Sequence, residues 1–296
     1  IVVLADPTPP NKLGKLIYED VLLDVSYLPW EQVQSPEEIL GQSHLAGSFR
    51  TANVILDPSG ELTNLQAAVA KDYAKRRWVR TRCEHARDKI LANLHDVNEA
   101  APFHDQVLPW LFATGVTTHV LLVAGLKNPT VRRRYVAVHE LLVEYAHPDF
   151  HNALLELLGC AQLSRERVEE HLATLTEVFD VAAAVVKTPF FFASDISDVA
   201  RPIAIDGSRE LIERGYHREA VFWMAATYSR CQKVLYHDAP EALREGFSPG
   251  YRLLLDDLGI SSFADLRRRG ERVKRFLPRV WEMAEAIMAA SPEIEE

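Results

Sequence analysis

The sequence predicts an α+β fold, with a small mixed sheet at the N-terminus followed by a large all-helical, bundle-like region. Two observations carry that expectation. Up to about residue 60, short β-like apolar runs alternate with turn residues. Beyond it, apolar residues recur at spacings of mostly three and four, the period of a helix with one buried stripe. The chain therefore divides into residues 1–60, an α/β unit, and residues 61–296, a helical domain.

In chain order, Ile1 to Ala5 is a continuous apolar run closed by the breaker-rich stretch Asp6 to Asn11. Leu16–Tyr18 and Val21–Leu28 flank Glu19 and Asp20, which reads as a hairpin with a two-residue turn. Val54–Leu56, ahead of Asp57-Pro58-Ser59-Gly60, reads as a short strand or buried segment ending in a turn. Thr63 and Gln66 fit a capping box opening a long helix, with a stripe through Val69, Tyr73, Val79, Cys83, Ala86, Ile90 and Leu94. Further helices are expected at about 104–125, 131–146, 150–161, 164–187, 207–236 and 271–290. Ser164 and Asp206 serve as N-caps, and Pro129, Pro148 and Pro189 as boundaries. Leu253–Leu258 and Phe263–Arg269 read as short helices, and Ser291–Glu296 as a frayed acidic tail.

Composition limits the function classes. The 296 residues carry a formal net charge of −9, which argues against broad nucleic-acid or anionic-membrane binding. No continuous apolar run approaches the length of a membrane span, and the N-terminus lacks the pattern of a signal peptide. Cys83, Cys160 and Cys231 lie far apart without a metal-binding spacing, as expected of reduced, buried thiols in a cytoplasmic protein.

Asp24 is the most informative single residue. It lies within the apolar strand Leu22-Leu23-Asp24-Val25-Ser26-Tyr27, on the face shared by Leu22 and Ser26. A carboxylate there costs several kcal/mol if isolated, so it calls for an ion pair, hydrogen bonds or a metal. The plainer reading is a strand-end aspartate facing solvent or a nearby loop.

The stretch Ile1 to Pro7, a proline-rich turn, and then Tyr18 to Glu31 resembles the DNA polymerase β-type nucleotidyltransferases, in particular the aminoglycoside nucleotidyltransferase-like branch. The resemblance covers about 60 residues and continues more loosely through Asp57–Gly60 and Tyr73–Trp78. It implies a partial nucleotidyltransferase sheet in which Asp24 holds the place of the family's third carboxylate, as a metal ligand or a base. It further implies two Mg²⁺ ions, an NTP donor and a small-molecule hydroxyl acceptor, with a nucleoside monophosphate transferred and pyrophosphate released. Two hard cations neutralise the attacking and leaving oxygens in such chemistry, and they call for clustered carboxylates. The family's Gly-Ser turn and Asp-x-Asp pair are absent ahead of Asp24, and Gly47-Ser48 lies downstream of it. Either an upstream segment precedes Ile1, as the apolar start without Met favours, or the metal site has been lost. The second alternative is a non-catalytic binding or scaffold protein with a degenerate nucleotidyltransferase fold.

In the family the helical domain completes the acceptor pocket and in some members supplies a base. Glu140 and Glu144, one turn apart on the helix after Arg132-Arg133-Arg134, are the candidate catalytic residues there, against the plainer reading of solvated glutamates. The three arginines could bind phosphate or begin an exposed helix. Phe190-Phe191-Phe192-Ala193-Ser194-Asp195 could line an acceptor pocket or anchor a loop in the core. His95-Asp96, His104-Asp105 and His237-Asp238 would suit a metal-dependent phosphohydrolase only if they converged. Arg134 and His139 fit a helical ribonuclease pattern, as do Arg80 and His85. No membrane partner is expected, and a homodimer is allowed.

Overall fold

Glu19 and Asp20 both adopt positive φ, 46° and 61°, as a two-residue hairpin turn demands. They join β2 (Gly14–Tyr18) to β3 (Val21–Val25) as an antiparallel pair in which Lys15 stands opposite Asp24. β1 (Val2–Leu4) runs parallel to β4 (Tyr27–Pro29), so the N-terminal part holds two small sheets. The computed structural model describes residues 1–4 and 12–296; the expected breaker Asp6–Asn11 and the end of the first apolar run at Ala5 lie outside the described residues. After a short helix α1 (Pro36–Gly41), capped by Ser35, the chain is helical, and the α+β expectation holds.

Val54–Leu56 forms no strand, and Ile55 is fully exposed. The long helix expected from about residue 63 is two helices, α2 (Glu61–Asp72) and α3 (Arg76–His95). Its start also differs: Gly60 is the N-cap, and Thr63, inside the helix, donates its amide and hydroxyl to Asp57 at 2.8 Å rather than capping. The break at Tyr73–Lys75 frees backbone groups that the C-terminal tail satisfies, with Arg76 N donating to Glu295 O and Glu295 N to Ala74 O. Glu293 and Glu296 pair with Arg50 and Arg76, so residues 291–296 are docked rather than frayed. Arg82 is buried too, stacked on Tyr73 and donating to the Leu40 and Tyr73 carbonyls.

α4 (Phe103–Ala124) is apolar on every side because α3, α5 (Arg134–Glu144), α6 (Pro148–Leu158), α9 (His217–Asp238) and α11 (Phe263–Ala290) surround it. By length and composition alone α4 could cross a membrane, although no unbroken apolar run reveals it in the sequence. Most of α4 is buried inside the fold, as befits the central helix of a helical core.

α7 (Arg165–Val185) begins at Ser164, whose hydroxyl accepts from Arg167 N as expected. The helix expected over 207–236 is interrupted at Gly215, φ +89°, between α8 (Gly207–Glu213) and α9. Asp206 does not cap it, because the backbone already turns helically through Pro202–Asp206. α10 (Glu241–Asp257) and α11 each run through a proline, Pro249 and Pro278, and absorb the shorter helices read there. Gly250 within α10 gives space to the Tyr228 hydroxyl, which a Cβ would meet at 2.5 Å. All three cysteines are free and buried, and burial pushes the Cys83 thiol up to about 12.

Candidate functional site

Lys15 and Asp24 are direct cross-strand neighbours, and Lys15 Nζ lies 2.9 Å from Asp24 Oδ2. Gly14 has φ +78°, and the space a Cβ would need is filled by Ser194, so the hairpin lies against the 193–195 turn without a side chain between them. That contact sets Asp195 beneath the hairpin. Lys15 donates to Asp195 as well as to Asp24, Lys12 Nζ reaches Asp195 at 3.2 Å and Asp24 at 3.6 Å, and Arg230 Nη1 of α9 reaches Asp195 at 3.1 Å.

Three cations thus meet two carboxylates, leaving one positive charge in excess. The buried end holds Lys15, Asp195 and Arg230, with side chains 8–10% exposed, while Asp24 is 47% exposed at the open end. Burial acts to raise the Asp195 pKa, but Lys15, Arg230 and Lys12 outweigh it and hold the carboxyl below its ordinary value. Burial likewise acts to lower that of Lys15, and the two aspartates outweigh it, so the ammonium is held charged. The Arg230 guanidinium lies over the rings of Phe192, Trp223 and Phe112, which cover what the carboxylate leaves free.

The aromatic run divides its labour. Phe192 is buried and stacked on Phe190, as loop anchors, whereas Phe191 stands 68% exposed. Glu140 and Glu144 are not drawn into this cluster. They are exposed on α5, and Glu144 pairs with Lys127 at 3.1 Å, while α5 packs on α4, α6 and α9. Of the three arginines, Arg132 and Arg133 are partly buried, and Arg134, which opens α5, is buried rather than exposed. Arg134 is buried against the Phe222 ring, 4.0 Å from its centroid, and Arg132 donates to the Gly207 carbonyl. A separate cleft of about 880 Å³, walled by Val2–Leu4, Trp30 and Phe49, includes neither Asp24 nor Asp195.

The three His-Asp pairs serve separate local purposes. Asp105 pairs with Lys233, Asp238 accepts from the Lys187 and Thr188 amides, and His95 with Asp96 is exposed. Among the described residues, one group of three metal-ligating side chains converges, His139, His151 and Glu219, and it includes none of these. Asp24 is likewise outside it. Asp24 is flanked by two ammonium groups, and the acid beside it, Asp195, is held by the same two lysines and by Arg230, so the described residues do not by themselves make a Mg²⁺ site. Sequence reading missed Lys12, Lys15 and Arg230, which only the fold gathers, and met Asp195 only as the end of an aromatic run. Comparison with protein-family models, curated proteins and solved structures finds no match.

Proposed function

We propose that this chain carries the third-carboxylate hairpin and the acceptor-side helical domain of a nucleotidyltransferase, which transfers a nucleoside monophosphate from an NTP to a small-molecule hydroxyl in the cytoplasm. One observation carries the reading. Asp24, at the position the resemblance assigns to a catalytic carboxylate, is the exposed end of a charged cluster joining the hairpin to the helical part. The excess positive charge of Lys12, Lys15 and Arg230 suits a polyphosphate, and exposed Phe191 offers a face to a ring-bearing acceptor. Asp24 could then take the proton of the attacking hydroxyl. The reading calls for Mg²⁺, which the described residues do not hold by themselves.

The scaffold reading has its own support in the two lysines that neutralise Asp24 and in the lack of any Asp-x-Asp pair within these residues. The experiment is pyrophosphate release by the product of the complete open reading frame, with Mg²⁺, each NTP and a panel of hydroxylated acceptors. Wild-type turnover and a fall of about 10²- to 10⁴-fold for Asp24→Asn are expected if Asp24 is the proton acceptor. Turnover unchanged in Asp24→Asn removes the residue from the mechanism, and no turnover with any pair favours the scaffold.

A further inference from the structure

We infer that His139, His151 and Glu219 form a binding site for a Zn²⁺-class transition-metal ion that ties α5, α6 and α9 together. The three ligand atoms lie within 4.8 Å of one another. His151 Nε2 lies 3.6 Å from Glu219 Oε1. That is too long for a hydrogen bond, yet close to the roughly 3.4 Å between two donors bound tetrahedrally to zinc at ordinary bond lengths.

The polar bookkeeping points the same way. His139 Nδ1, His151 Nε2 and Glu219 Oε2 are all buried without a hydrogen-bond partner. Buried polar atoms are rarely left so, and here the three orphaned atoms belong to one cluster. His151 and Glu219 are 5% and 4% exposed, and no lysine or arginine pairs with Glu219 among the described residues. Arg218, its neighbour in sequence, spends Nη1 on the Ala161 carbonyl. A buried carboxylate without a cation is costly, and a metal ion would supply the missing charge.

The surroundings orient the ligands. The His139 and His151 rings stack at 4.5 Å, and the Tyr216 ring meets His139 edge-on. A tight turn, with Ala146 at φ +61°, folds α6 back on α5 and brings the two histidines together. Two imidazoles and one carboxylate favour zinc, cobalt, nickel or iron over magnesium, and three protein ligands leave a fourth position on the partly exposed His139 side.

The test is titration of the untagged, chelator-treated chain with Co²⁺, followed by displacement with Zn²⁺. One Co²⁺ per chain is expected, with visible absorption of four- or five-coordinate strength that zinc abolishes, and Zn²⁺ should raise the melting temperature. His139→Ala removes the least buried ligand, so the fold should survive, and its affinity should fall by more than the 10- to 100-fold typical of losing a supporting hydrogen bond. Glu219→Gln should bind no better, and Asp24→Asn should bind like wild type. A folded wild-type chain, judged by circular dichroism, that leaves Co²⁺ with its aqueous spectrum overturns the site. So does equal binding by wild type and His139→Ala.

Discussion

Asp195→Ala is expected to destabilise the protein by about 3 kcal/mol, because it removes one partner of a buried charge cluster and leaves the others. Arg230, 9% exposed, would keep its charge with only aromatic faces around it, and Lys15 would retain a single carboxylate. The hairpin would lose its main polar tie to the 193–195 turn. Urea unfolding at neutral pH measures the effect, and a loss below about 1 kcal/mol would mean that the cluster is solvated in practice. The dependence on pH has a definite sign. The folded Asp195 pKa is depressed, so its contribution is present above the unfolded carboxylate value, near 4, and is lost as the pH falls through the folded one. The gap between wild type and Asp195→Ala should therefore close on acidification.

Gly115→Val is expected to cost about 3 kcal/mol, although it replaces a glycine inside a helix. At an open helical site the loss of glycine stabilises by about 1 kcal/mol. At Gly115 a Cβ would enter the Phe222 ring and come within 2.5 Å of Arg134 Nη1. Neither can retreat. Phe222 is buried between Phe112 and Tyr135, and the Arg134 guanidinium is held over that same ring. Overpacking a core of this kind costs about 1–3 kcal/mol, and here it would also disturb a buried cation whose pKa burial lowers to about 9. Gly246→Ala in α10, where a Cβ meets nothing within 4 Å, is the control and should be neutral or stabilising. Equal thermal unfolding midpoints for the two variants would refute the packing argument.

The legible parts of this fold are those set by local rules. The turn at Glu19–Asp20, the Ser164 cap and the stripe Val79, Cys83, Ala86, Ile90 and Leu94 all depend on neighbours in sequence. The illegible parts depend on distant ones. The break at Tyr73–Lys75 is stabilised by the tail at Glu295, far along the chain, and so neither the break nor the docking of the tail has a local signal. α10 and α11 run well beyond the short helices Leu253–Leu258 and Phe263–Arg269 that the local pattern suggests. The candidate site follows the same rule. Asp24 stands out because an acid in an apolar strand is anomalous on its own, and the lysines do not, because surface lysines are common. His151 and Glu219 lie on separate helices with no motif between them, and only the packing of α5, α6 and α9 makes them neighbours of His139.

Hydrogen–deuterium exchange of the complete reading-frame product, with and without Mg²⁺ and a non-hydrolysable NTP analogue, tests the central proposal most directly. Nucleotide-dependent protection should appear in β2–β3 and in residues 190–195, where Lys12, Lys15, Asp24 and Asp195 meet, and should weaken in Lys15→Met. Protection confined to other segments, or none at saturating nucleotide, would contradict the assignment of this junction as the nucleotide site.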